Sequence, residues 1–282
     1  MSAAISRSER PPPLERARGR LRVGIERRRG ASVLAGLYQE GCLKARFPRG
    51  EAADSLSLVL MNNSGGVAPG DDLATEITLG PGAATTVVSA GAERFYRGRA
   101  GEACAVVRNR LVLAAGATLE WLPQESILFD GAALDRTLAV EMAADARLLA
   151  VESLLFGRAA MGETLHTQRL VDRLHIRRAG RLVCHDAVRL EGAASAHLAR
   201  PALAGGAGAA AALVCVAPEA AALLEPLRAA LAQAPGEAGA SARDGLLFAR
   251  LLAADGARLR IGVIAALAAL RPGAALPRNW RC

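Results

Sequence analysis

Two stretches of this chain set carboxylates among apolar residues. Glu152 interrupts LLAVESLLF, and Asp186 sits inside LVCHDAVRL. A carboxylate in such surroundings must be paired, bound to a cation or protonated. One reading puts each acid on the outer face of a half-exposed strand or against an arginine. The other lines an interior path with acids, and an oxygen-rich, histidine-poor lining holds a divalent metal weakly, as passage rather than storage requires. Cys184, His185 and Asp186 are adjacent, which raises a nucleophile pair or metal site. Neighbours on a strand point to opposite faces, however, so the three compete with a reading as ordinary strand residues. The four histidines (166, 175, 185, 197) form no HExxH pair, and no GxSxG or kinase motif is present. The chain therefore reads as a non-enzyme, with a Cys/His hydrolase as a minor alternative.

The acid-bearing segment LEWLPQESILFDG, Leu119 to Gly131, has Trp121 and Phe129 at strand-like positions and Pro123 between them. It predicts two short strands with a bend. Its carboxylates, Glu120, Glu125 and Asp130, stand beside bulky apolar groups. The glycine-rich NNSGGVAPGDD, residues 62–72, follows the apolar run LSLVLM. It lacks GK[ST] and GxGxxG and leads into another strand, so it reads as a tight turn rather than a phosphate loop.

These stretches belong to a mainly β chain. ITLGPGAATTVV (77–88), LVLAAGATLEWL (111–122) and VEMAADARLLAV (140–151) share one strand–turn–strand template. Ile77, Leu111 and Val140 align, as do Gly82, Gly116 and Asp145, the last expected to take the glycine's left-handed turn position. Repeats of this kind stack, which predicts a stacked-sheet or β-helical, solenoid-like architecture. Leu170 to Leu190 reads as a hairpin turning at Ala179–Gly180. Two helices are expected toward the C-terminus. One lies within PEAAALLEPLRAALAQ, where Pro226 kinks it or moves its start; the other spans Gly256 to Leu270, capped by Asp255. Residues 1–19 read as a disordered basic arm and 20–282 as a single domain.

Of 282 residues, 52% are hydrophobic and 3% aromatic, so the core is aliphatic. No apolar run reaches the roughly 20 residues of a membrane span, and no signal core opens the chain. Five scattered cysteines without CxxC fit reduced thiols in a cytoplasm. The net charge of +8 is carried almost wholly by arginine and is concentrated between Arg7 and Arg29. That arm raises a nucleic-acid-binding β protein as the alternative function, but no stacking aromatics are interleaved with its arginines.

SGGVAPGD, FYRGRAG, LEWLPQESILFDGA, LLFGRAAMGE and LPRNWR, in this order, resemble the UreD (UreH) family of urease accessory proteins from about Gly36 to Trp280. The resemblance implies a mainly β scaffold that binds apo-urease and the accessory proteins UreF and UreG, and a homodimer of that complex is a further expectation. It implies assistance in delivering nickel, with Ni²⁺ a transient passenger and no tightly bound cofactor, no nucleic acid and no membrane. The family's route acids fall on Asp71, Glu152 and Asp186, with Glu93 a further candidate. Its partner-binding or structural motif positions fall on Gly65, Gly66, Gly70, Tyr96, Arg97, Glu125, Gly157, Arg158, Gly162 and Glu163. Ala68–Pro69 departs from the family's usual GGxxGGD, which alters the expected loop.

Overall fold

The computed structural model describes residues 15–49, 54–99 and 101–281. Elements are numbered in chain order. Among the described residues one sheet of seven strands runs β14 (Arg181–Gly192), β13 (Gln168–Arg178), β11 (Ala133–Met142), β8 (Ala105–Leu113), β5 (Asp72–Leu79), β1 (Arg18–Arg28), β2 (Ala31–Gly41). The second sheet runs β16 (Glu237–Arg243), β17 (Leu246–Ala253), β15 (Ala209–Val216), β12 (Arg147–Phe156), β9 (Thr118–Leu122), β6 (Ala84–Ser89), β4 (Leu56–Asn62), β3 (Leu43–Arg46). Two short strands, β7 (Glu93–Phe95) and β10 (Ser126–Leu128), join it beside β12.

The three repeats are successive coils of this double sheet. Each enters through the first sheet (β5, β8, β11), turns, and leaves through the second (β6, β9, β12). Parallel pairing puts Ile77 opposite Leu111 and Leu111 opposite Val140, the alignment read from sequence. Small residues make the corner possible: Ala83, Ala117 and Ala146 are fully buried one above the other. Gly82 and Gly116 take φ of 67° and 66° there. Asp145 does not follow them. It is not among the positive-φ residues, although its turn closes as the other two do, by an N–H to carbonyl bond: Ala146 to Ala143 at 3.3 Å, as Ala83 to Gly80 and Ala117 to Ala114 at 3.1 Å.

The second sheet is covered on both faces. One face packs on the first sheet through Leu58, Val87, Leu119, Trp121 and Leu148. The other carries Leu122, Leu149, Val151 and Leu213 against the helices α2 (Leu224–Ala232) and α3 (Gly256–Leu270). Pro226 falls in the first turn of α2, where a missing N–H costs nothing. The Asp255 side chain accepts from Arg258 N–H at 2.8 Å and caps α3. A short helix, α1 (Ala194–Leu198), lies in the Ala/Gly-rich stretch that gave no sequence signal. The hairpin β13–β14 turns at Ala179–Gly180 with φ of 50° and 76°, and LEWLPQESILFDG folds as β9, a bend and β10. No helix among the described residues is long and apolar enough to cross a membrane.

The arm assigned to residues 1–19 lies outside the described residues up to 14. Its last residues are built into the fold: β1 starts at Arg18 beside Asp72, and Ala17 N–H donates to Asp71 Oδ1 at 2.8 Å. A chain starting at Arg20 therefore leaves half of a buried carboxylate unsatisfied, at a cost of about 1–3 kcal/mol. Its melting temperature should fall roughly 2–8 °C below that of a chain starting at Glu15. Equal melting curves would show that this edge is not anchored as described.

Candidate functional site

Inward positions of β11 and β13 alternate with outward ones, so Leu134, Arg136 and Leu138 share a face, as do Leu170, Asp172 and Leu174. The parallel register sets Arg136 directly beside Asp172. The guanidinium donates to both carboxylate oxygens at 2.8 and 2.6 Å and to Ser126 Oγ at 2.8 Å. From the facing sheet Glu152 approaches the same guanidinium, with 3.8 Å between Nη2 and Oε1. Across the second sheet Glu152, Ala212 and Arg250 stand in register. Arg250 reaches back over the gap to Asp186 of β14, with Nη2 2.7 and 2.6 Å from the two oxygens. A charged layer thus joins the two sheets, with apolar residues on both sides of it.

Burial sets the electrostatics of the layer. Glu152 is pushed up to about 7, mainly by loss of water, with Asp172 and Asp186 adding repulsion and Arg136 only partly opposing it. For Arg136, burial works against the charge, but Asp172 and Glu152 outweigh it and the guanidinium stays protonated.

Two cavities meet here. One of about 310 Å³ is lined by Asn62, Gly66, Glu93, Ser126, Arg136 and Glu152. The other, of about 510 Å³, is lined by Glu152, Asp172, Leu174, Asp186 and Arg250. Glu152 borders both. Trp121 and Ser153 are among the lining residues of the first cavity, and their polar atoms Nε1 and Oγ are turned away into the protein with no hydrogen-bond partner there. Glu93 sits further along the first cavity, its carboxyl raised by burial while Asn62 Nδ2 donates to it at 3.1 Å.

The structure brings Glu152 and Asp186 together and leaves Asp71 apart. Asp71 is a loop clamp: its two oxygens accept Ala17 and Ala68 N–H groups, and it lines neither cavity. Cys184, His185 and Asp186 do not converge. Cys184 is buried, His185 faces outward and Asp186 is held by Arg250, so no nucleophile–base pair forms and the hydrolase alternative falls. Sequence reading missed Arg136, Asp172 and Arg250. The signal was present in LDRTL and LVDRL, where a charge occupies the same strand parity as the leucines two residues to either side.

The motif residues gather at one end of the double sheet. Gly66, at φ 141°, passes beneath Tyr96, where a Cβ would stand 2.3 Å from the ring. Tyr96 O–H donates to the Gly65 carbonyl at 2.6 Å, and Gly70 takes φ 89° at the end of the same loop. Arg97 pairs with Asp130, whose other oxygen accepts His166 and Thr167 N–H groups at 2.7 and 2.8 Å. Gly157 and Gly162 bracket the turn in which Arg158 pairs with Glu163 at 2.9 Å and stacks 4.4 Å over Phe129. Bonds from Arg158, then from its own and the Asp130 backbone N–H, hold Glu163 down at about 2. Glu125 faces elsewhere and pairs with Arg260 of α3 at 2.9 Å.

The profile of the family described as UreD urease accessory protein matches residues 17–281. The chain belongs to the UreD family. The urease accessory protein UreD of Xanthobacter autotrophicus is 46% identical over 266 residues, covering 94% of this chain and 90% of that protein. UreD of Ruegeria pomeroyi is 46% identical over 250 residues, covering 88% and 95%. UreD of a Methylobacterium species is 44% identical over 278 residues, covering 96% of both. The urease-accessory resemblance read from the motifs is thus established across almost the whole UreD chain, β1 included.

The charged layer makes an asymmetric prediction. Asp172→Asn strips the buried guanidinium of its bidentate partner and should cost about 3–5 kcal/mol in urea unfolding. Glu152→Gln should do the opposite at high pH. Because its carboxyl is raised from 4.5 to about 7, folding takes up a proton between those values. Wild-type stability therefore falls as pH rises through that window and the penalty is complete above it. The variant should gain about 1–3 kcal/mol over wild type at pH 8 relative to their difference near pH 5. A gap that does not change with pH would contradict the raised carboxyl.

Proposed function

We propose that this UreD-family chain is a urease maturation scaffold. It binds apo-urease together with UreF and UreG in the cytoplasm and passes Ni²⁺ between its two sheets toward the urease site. The observation that carries the reading is the position of Glu152, the one residue among those described that borders both cavities.

On this reading the acids work in series. Glu93 lies along one cavity, Glu152 stands at the junction, and Asp172 and Asp186 lie beyond it. Ni²⁺ is cargo: each carboxylate replaces part of its water shell for a moment. Arg136 makes the stay short. A fixed positive charge about 4 Å away opposes a unit charge by about 4 kcal/mol at an effective dielectric of 20, and a divalent ion by twice that. Asp172 holds the guanidinium in place, so the repulsion does not relax by simple side-chain rotation. Protonation of Glu152 removes the one carboxylate shared by both cavities, so delivery should weaken as pH falls through about 7. Asp71 supports this path indirectly by fixing the loop before β5. The rim of motif loops, with Tyr96, Arg97, Arg158 and Glu163, is the surface assigned to partners.

The basic N-terminal stretch does not favour the nucleic-acid alternative. Arg16, Arg20 and Arg28 pair with Glu102, Asp72 and Glu26.

Co-expression of urease with its accessory proteins tests the reading. Glu152→Gln and Asp186→Asn should each lower the nickel content and activity of urease several-fold while the variant chain still co-purifies with UreF and apo-urease. Normal nickel loading by both variants would remove the inter-sheet route. Failure of the wild-type chain to co-purify would remove the scaffold reading itself.

A further inference from the structure

The hairpin β13–β14 carries a second cluster of ligating atoms, on the opposite side of its sheet from the charged layer. His175 and His185 are register partners across the hairpin. Their neighbours Leu174, Ile176 and Cys184 are buried between the sheets, so both imidazoles project outward. The rings meet edge to face, with centroids 4.6 Å apart and the two Nδ1 atoms separated by 3.1 Å.

That separation is a chelating distance. A cation bound at about 2.0–2.1 Å from each nitrogen would subtend about 100° between them, intermediate between cis-octahedral and tetrahedral coordination. The antiparallel ladder fixes both backbones, so little order is lost on binding. Of the arginines flanking the pair on β13, Arg173 is 2.9 Å from Asp135 and Arg177 is 3.9 Å from Glu141 on the adjacent strand, which offsets their repulsion of a cation.

We propose that His175 and His185 form a two-imidazole site for a borderline divalent cation such as Ni²⁺, Zn²⁺, Co²⁺ or Cu²⁺. Imidazole donors select this group over Mg²⁺ and Ca²⁺. Among the described residues no group of three His, Cys, Asp or Glu side chains converges on a metal position, so water completes the coordination and binding is reversible. The site stands apart from the inter-sheet acids and does not depend on them.

Calorimetric titration of the full-length chain with Ni²⁺ alone tests the site, using Glu152→Gln as background to remove the carboxylate that borders both cavities. His175→Gln and His185→Gln should each weaken binding at least ten-fold, because each leaves a single imidazole. Both positions are on the outer face, so the melting temperature without metal should hold. In the parent chain, paramagnetic broadening by Ni²⁺ should reach the ring protons of both histidines together. Unchanged affinity in both variants would overturn the proposal. So would broadening of neither ring, or no uptake at about 1 mM Ni²⁺, the weak end of the affinity scale.

Discussion

Burying charge between two packed sheets constrains everything around it. Arg136 cannot lose its proton, so it must be surrounded by acceptors, and Asp172 and Ser126 supply them at hydrogen-bond distance. That requirement fixes the parallel register of β11 and β13 and the placement of β10. It also leaves Glu152 the least satisfied member of the layer, close enough to feel Arg136 and too far to share a short bond. The second pair, Asp186 with Arg250, pins the last hairpin of one sheet to β17 of the other. A core filled only with leucine would be simpler to stabilise. The polar layer instead keeps two cavities in contact through one titratable carboxylate.

The rest of the fold holds that layer open. Stacked coils with fully buried alanines at one corner bring the sheets together there. At the other end, glycines at 65, 66, 70, 157 and 162 let loops pass close to one another, and Tyr96, Arg97, Asp130, Arg158 and Glu163 lock them. The helices cover the outer face of the second sheet, and Trp280 Nε1 donates to the Leu122 carbonyl at 3.0 Å, closing the C-terminus over it. The two cavities and the loop rim are therefore parts of one frame.

Much of this frame was legible in the sequence because strand registers repeat. The alignment of Ile77, Leu111 and Val140 is the pairing itself, and the bend at Pro123 and the turn at Ala179–Gly180 follow from local backbone chemistry. Glu152 and Asp186 stood out for being acids in apolar runs. Asp71 stood out by resemblance, yet its geometry is that of a loop clamp. Arg136 and Arg250 were hidden because one arginine among so many carries no signal until strand parity places it inside. Asp145 misled because its aligned glycines are left-handed and it is not. The meeting of the two cavities was out of reach, since it depends on how strands distant in sequence face one another.

Filling the space between Glu152 and Arg250 would stop a cation that moves through it, without altering any charge. Ala212 lies between the two in the sheet and lines the second cavity. Ala212→Phe should leave the complex with UreF and apo-urease intact on size-exclusion chromatography, and the nickel content of the urease recovered from it should fall several-fold. Full nickel occupancy in urease matured by an intact Ala212→Phe complex would contradict passage between the sheets.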